Sequence, residues 1–121
     1  MGQTLENKNY DLEERTFQFA KSVRLFVKTL EKNIANIEDS KQLIRSSGSI
    51  GANYIEANES LSKKDFIFRV KISRKEAKES IYWLRLIKET NNLSNNNALE
   101  NLVQESTELK KIFSSIIEKS K

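Results

Sequence analysis

Apolar residues recur at intervals of three, four or seven in four successive stretches of this chain. In the first, Phe19, Val23, Phe26, Leu30 and Ile37 form a stripe that Ala20, Val27 and Ile34 widen. That is the pattern of an amphipathic helix with a broad buried face. Asp11 followed by Glu14 resembles a capping box at its start. The stretch from Asp11 to Asn36 alone would be about 39 Å long as a helix. Residues 1–10 are polar and aperiodic and are expected to be a flexible tail, leaving 11–121 as one domain.

The second stretch carries Leu43, Ser47, Ile50, Tyr54, Ala57 and Leu61 at helical spacing, with Asp39 or Ser40 as its cap. Gly48 and Gly51 lie inside it, and each costs a helix about 1 kcal/mol relative to Ala. Ser46, Ser47 and Ser49 are mediocre helix formers as well. Ser47/Gly51 and Gly48/Ala52 are i,i+4 pairs, so each pair shares a face, and small faces let a neighbouring helix approach at the short end of the usual 8–10 Å. The alternative is a loop that breaks the helix near Gly48.

Asn58 stands where a helix ends on a left-handed residue, a conformation Asn tolerates second only to Gly. Ser62 then caps a third helix with Asp65 in its first turn, where a carboxylate suits the dipole. Phe66, Val70, Ser73, Ala77, Ser80, Leu84 and Ile87 make one unbroken core stripe. At 100° per residue, Phe68, Ile72, Trp83 and Leu86 form a second stripe nearly opposite. Long Lys and Arg stems offer one cover for it. A subunit interface offers another and is preferred, because large aromatics are enriched at interfaces.

Residues 91–97, mostly Asn, read as a turn, and Asn97 with Glu100 resembles a cap. Leu99, Leu102, Val103, Ser106, Leu109, Ile112, Phe113, Ile116 and Ile117 give the fourth helix a wide apolar face. Four amphipathic helices with short connections predict an all-α fold, an antiparallel up-down-up-down four-helix bundle.

Composition narrows the chemistry. The 121 residues include no Cys, no His and no Pro, and only three Gly. Disulfides and thiolate metal sites are excluded, and the usual general base near neutral pH is missing. An enzyme would have to rely on Glu, Asp, Lys, Tyr or Ser. Glu56 is the best acid candidate, and its competing role is an ion pair with Arg45, Arg69 or Arg74. The Glu56–Glu59 spacing cannot complete a Glu-x-x-His di-iron motif. Gly48-Ser49-Ile50-Gly51 lacks the Lys-Ser/Thr and the preceding strand of a phosphate loop. No enzymatic activity, catalytic residue, metal or cofactor is expected. No signal peptide and no apolar run of roughly 18 residues is present, so the expected location is cytoplasmic, off the membrane.

Charge is uneven. The net is +4, yet residues 63–90 hold nine basic and four acidic side chains, a local +5. Lys71, Arg74, Lys78 and Arg85 project within an arc of about 60°. Lys75 and Tyr82 flank that arc, and Lys63 and Lys64 extend it. A linear array of cations suits a phosphate backbone, and the ring can stack on a base. The competing reading is an ordinary solvated face that Glu76 and Glu79 partly neutralise.

The run from Gln42 to Ile87 resembles the bacterial four-helix-bundle family of 23S rRNA intervening-sequence proteins. The resemblance rests on Leu43-Ile44-Arg45-Ser46-Ser47, Ser49-Ile50-Gly51-Ala52-Asn53, Glu56-Ala57, Lys63-Lys64-Asp65-Phe66, Glu76-Ala77-Lys78-Glu79 and Tyr82-Trp83-Leu84. It implies a homo-oligomer, a pentamer, without catalytic activity. A related protein, the accessory variability determinant of diversity-generating retroelements, is a basic pentamer that binds nucleic acid and a reverse transcriptase. By that likeness of surface character, RNA or DNA is the expected ligand of the third helix, and a protein partner is the alternative. Asn58 departs from the Gly frequent in the family, and Asn can take the same backbone conformation.

Overall fold

Asparagine and serine side chains set the starts of three helices in this chain. The computed structural model describes residues 5–121, with side chains from Asp11 onward. Four helices follow in order: α1 (Leu5–Val27), α2 (Ile34–Asn58), α3 (Lys63–Thr90) and α4 (Asn97–Ser120). Of the expected tail, residues 1–4 lie outside the described residues, and α1 already runs through residues 5–10. The Asp11 box therefore does not open the helix.

The expected long first helix is cut short. Its last amides bond in tighter i→i−3 fashion, Thr29 to the Phe26 carbonyl at 2.9 Å and Leu30 to Val27 at 3.1 Å. Asn33 then caps α2, its Oδ1 accepting the Asn36 amide at 2.9 Å. Ile34 and Ile37 thus belong to α2 and stand exposed rather than in the stripe of α1. An Asn cap outweighs the continuing apolar rhythm here.

α2 continues unbroken through Gly48 and Gly51, which rules out the loop alternative. It ends without a left-handed residue: Asn58 is helical and the cap, Glu59, has φ −97°. Leu61 lies outside the helices and is exposed. The left-handed residue is Asn92, with φ 55°. There the Leu93 amide donates to the Lys88 carbonyl at 3.0 Å, closing the Schellman motif that ends α3. The Asn-rich turn has further uses. Asn91 exchanges amide hydrogen bonds of 2.8 Å with the buried Asn36, tying the two loops at one end of the bundle. Asn96, one residue before the expected cap, accepts the Leu99 amide. At α3 the expected cap holds, with the Ser62 hydroxyl accepting the Asp65 amide at 3.1 Å.

Each helix packs against its sequence neighbours and α1 closes on α4, giving a four-helix bundle. Leu43, Ile50, Leu84, Ile87, Leu99, Leu109 and Phe113 are fully buried at its centre with Val23 from α1. The Tyr54 ring packs tilted on Phe113 at 5.8 Å between centroids, and burial pushes its phenol above the ordinary value. Buried serines pin the seams. Ser73 donates to the Ile50 carbonyl, and Ser106 to that of Ala77, both at 2.8 Å. Ser46 and Ser80 bond each other at 2.8 Å. Each such bond contributes about 1 kcal/mol net and admits no larger side chain.

Candidate nucleic-acid interface

The core stripe of α3 fixes what its opposite face presents. With Val70, Ser73, Ala77, Ser80, Leu84 and Ile87 buried, Lys64, Lys71, Lys75, Lys78, Tyr82 and Arg85 point outward and are exposed. Lys63 is exposed at the start of the helix, and Arg74 is half-buried at the flank. Lys63 and Lys64 occupy the first turn, where the helix dipole disfavours cations by about 0.3–1 kcal/mol each. Their placement costs the helix stability.

Glu76 and Glu79, which the competing reading has partly neutralising this face, form no ion pair with its lysines. Glu76 is buried and Glu79 half-buried, and both turn to α2, where they hold Arg45. Arg45 reaches Glu76 at 3.4 Å through Nη1 and bonds Glu79 through Nη2. The hydrogen bond that Arg45 donates to Glu76, with the charges of both carboxylates, raises the Arg45 guanidinium above its ordinary value despite some desolvation. Arg85 pairs with Glu89 at 3.1 Å, and Lys88 leaves the face to meet Glu100 of α4 at 2.9 Å. Lys63, Lys64, Lys71, Arg74, Lys75 and Lys78 form no ion pair among the described residues.

The second apolar stripe divides. Ile72, Trp83 and Leu86 are half-buried, and Trp83 packs on the core with Nε1 donating to Glu79 at 3.3 Å. Phe68 stays 59 % exposed beside the lysines. Tyr82, 57 % exposed, meets Trp83 edge-on at 5.1 Å. Neither expected role of Glu56 fits its position. It is exposed and forms no ion pair among the described residues; of its expected partners, Arg45 is engaged as above, Arg69 donates to the Asn53 side-chain oxygen at 3.2 Å, and Arg74 forms no ion pair.

The small residues of α2 face two ways. Ser46 bonds Ser80 of α3, whereas Gly48 and Gly51 turn to α1, and Ser47 is buried with its hydroxyl on the Ile44 carbonyl of its own helix. A Cβ on Gly51 would stand 2.7 Å from Thr16 Oγ1, and one on Gly48 would stand 3.1 Å from Arg24 Nη2. Ala52 is exposed and lines an open cleft of about 520 Å³ between α1 and α2. Phe17 (60 % exposed), Leu25 (53 %) and Ile55 (46 %) share that cleft. The pattern reading passed over these three. Their signal is that they are large apolar residues off the core stripe. A second cleft, of about 630 Å³, runs between α1 and α4 beneath the paired Arg15 and Glu105. Among the described residues, no cluster of three or more His, Cys, Asp or Glu is placed to hold a metal, and no helix is long and apolar enough to cross a membrane.

The model of the family described as 23S rRNA-intervening sequence protein matches residues 8–115. The chain belongs to this family. Its matched span takes in α2 and α3 entirely, so the glycine seam and the basic face both lie within the family's fold. The chain is also similar to a crystallised Bacteroides thetaiotaomicron protein of unknown function from the S23 ribosomal protein family, with a TM-score of 0.75 and 34% identity, over 87% of this chain and 96% of that one. Curated proteins provide no match. The four-helix fold of the intervening-sequence family is thereby established.

Proposed function

We propose that this member of the intervening-sequence family is a cytoplasmic, non-enzymatic, oligomeric accessory protein that binds nucleic acid, RNA or DNA, through the outer face of α3. One observation carries the reading: the lysines of that face form no ion pair, while Glu76 and Glu79 of the same helix hold Arg45 and Glu89 holds Arg85. A row of unpaired cations on a straight helix gains affinity by releasing the counterions of a phosphate backbone. Self-association belongs to the same reading, because copies around a symmetric assembly would multiply the basic surface.

The test is anisotropy of a labelled nucleic acid at 50 and 200 mM salt. With about four phosphate contacts, affinity should fall roughly hundredfold between the two. Reversing Lys71, Lys75 and Lys78 to Glu should reduce the slope of log affinity against log salt by about three. Affinity unchanged by the triple reversal would remove the assignment. No binding even at 50 mM would favour the protein-partner alternative.

For assembly, the α1–α2 cleft offers three large exposed apolar residues, whereas of the expected interface residues Phe68, Ile72, Trp83 and Leu86 only Phe68 is comparably exposed, and this favours the cleft as the contact between copies. Phe17→Glu with Leu25→Glu should lower the assembly mass in light scattering, and Phe68→Glu with Trp83→Glu should leave it intact. The reverse result would return the interface to α3.

A further inference from the structure

We infer that the α3 face is built for an unpaired strand rather than a duplex. This inference rests on the nucleic-acid reading above and sharpens it. Along the helix the outward residues run Lys64, Phe68, Lys71, Lys75, Lys78, Tyr82, Arg85. Two exposed aromatic rings thus bracket three free lysines, 14 residues apart, or about 21 Å along the axis. At 100° per residue, the two rings lie within about 40° of each other, on the same side as the cations.

Lysines alone explain phosphate binding and would serve a duplex equally. The rings do not fit that role. A duplex keeps its bases stacked inside, so an outward Phe among phosphate-facing lysines gains nothing from it. Phe68 carries no hydrogen-bonding group, and leaving so large an apolar surface in water is unfavourable without a partner. An unpaired base offers a π-face to such a ring, and stacking of this kind tolerates any sequence. Tyr82 is ready for it: Trp83 meets it edge-on, at an interplanar angle of 83°, and steadies the ring while it remains more than half exposed. Phosphate and π contacts do not read the sugar, so RNA and DNA single strands should bind alike.

The experiment titrates the full-length protein into labelled 20-mers of oligouridylate and oligothymidylate and into a 20-base-pair DNA duplex. The wild type should prefer both single strands. Phe68→Ala and Tyr82→Ala should each weaken single-strand binding about tenfold and change duplex binding less than about threefold. Phe68→Tyr and Tyr82→Phe keep a ring and should retain the preference. Trp83 is the chain's single tryptophan, and single strands should quench its emission in the wild type but not in Tyr82→Ala.

Equal loss of duplex and single-strand affinity in the alanine variants, or no loss in either, overturns this inference while leaving phosphate binding by the lysines in place. Binding of neither probe overturns both. A drop in assembly mass on Phe68→Ala without selective loss of single strands would reassign that ring to a subunit contact and likewise overturn it.

Discussion

Helix α2 presents small residues to two neighbours, and the two seams are made differently. Toward α3, Ser46 meets Ser80 and the Ile50 carbonyl accepts from Ser73, all fully buried with hydroxyls bonded across the gap. Toward α1, the small residues are glycines, and what fills the gap is the other helix, Thr16 against Gly51 and the Arg24 tip against Gly48. The first seam is closed by directional bonds. The second is closed at Gly51 and open beyond it, where the cleft with Phe17, Leu25 and Ile55 begins. Small residues therefore do not share one meaning. Serine marks a sealed contact, and glycine marks a close approach beside a surface still available to a partner.

Enlarging a residue at the sealed seam should cost most. Ser80 has no exposed surface, and its hydroxyl lies 2.8 Å from Ser46 and 2.9 Å from the Glu76 carbonyl. Ser80→Leu adds volume with nowhere to go and leaves the Ser46 hydroxyl short of a partner. Destabilisation of about 3 kcal/mol or more is expected, at the upper end of overpacking costs plus a lost buried bond. Denaturant midpoints taken at one fixed protein concentration would measure it, since assembly shifts apparent stability by mass action. A cost under about 1 kcal/mol would mean that the seam can yield and is not sealed.

Gly51→Ala tests the closed end of the other seam. Alanine favours the helix by about 1 kcal/mol, whereas a methyl 2.7 Å from Thr16 Oγ1 and 3.1 Å from its Cβ forces α1 outward, at about 1–3 kcal/mol. A net loss of about 1 kcal/mol is expected. Thr16→Ala, which removes the nearer atom, should recover most of it in the double variant. Purely additive effects would show that the two residues do not meet as described.

These seams also explain how far the chain could be read in advance. Periodicity located four amphipathic stretches and the core residues of α3 and α4, because a buried stripe repeats over many turns and survives local errors. It misplaced the junction of α1 and α2, where Leu30, Ile34 and Ile37 keep a helical rhythm and only the Asn33 side chain stops it. It placed the left-handed residue at Asn58 rather than Asn92, because both are Asn and only the bonding of Leu93 to Lys88 distinguishes them. On the candidate site, the lysines of α3 were visible as a stripe. That Glu76 and Glu79 serve Arg45 was not, because the contact joins residues 31 and 34 apart in sequence. The cleft of α1 was missed because Phe17 and Leu25 lie off the core stripe, and a second apolar stripe was met first on α3.

Gly48→Ala is the smallest expected effect and the one that best separates a close approach from an open surface. Its new methyl would meet only Arg24 Nη2, at 3.1 Å, the far end of a flexible side chain. That group can swing away for the loss of one long hydrogen bond, 3.3 Å to the Ile44 carbonyl. The helix-propensity gain should then prevail, so the variant should be stabilised by up to about 1 kcal/mol in dilute protein. Because Gly48 lines the α1–α2 cleft, the sign should depend on assembly. If copies dock there, the methyl and the displaced guanidinium enter the interface, and the advantage should shrink or reverse as protein concentration rises. A gain that is constant across concentrations would place the contact between copies elsewhere. A loss as large as that of Gly51→Ala, even in dilute protein, would mean that the second seam is closed along its whole length and that the contrast between serine and glycine seams fails.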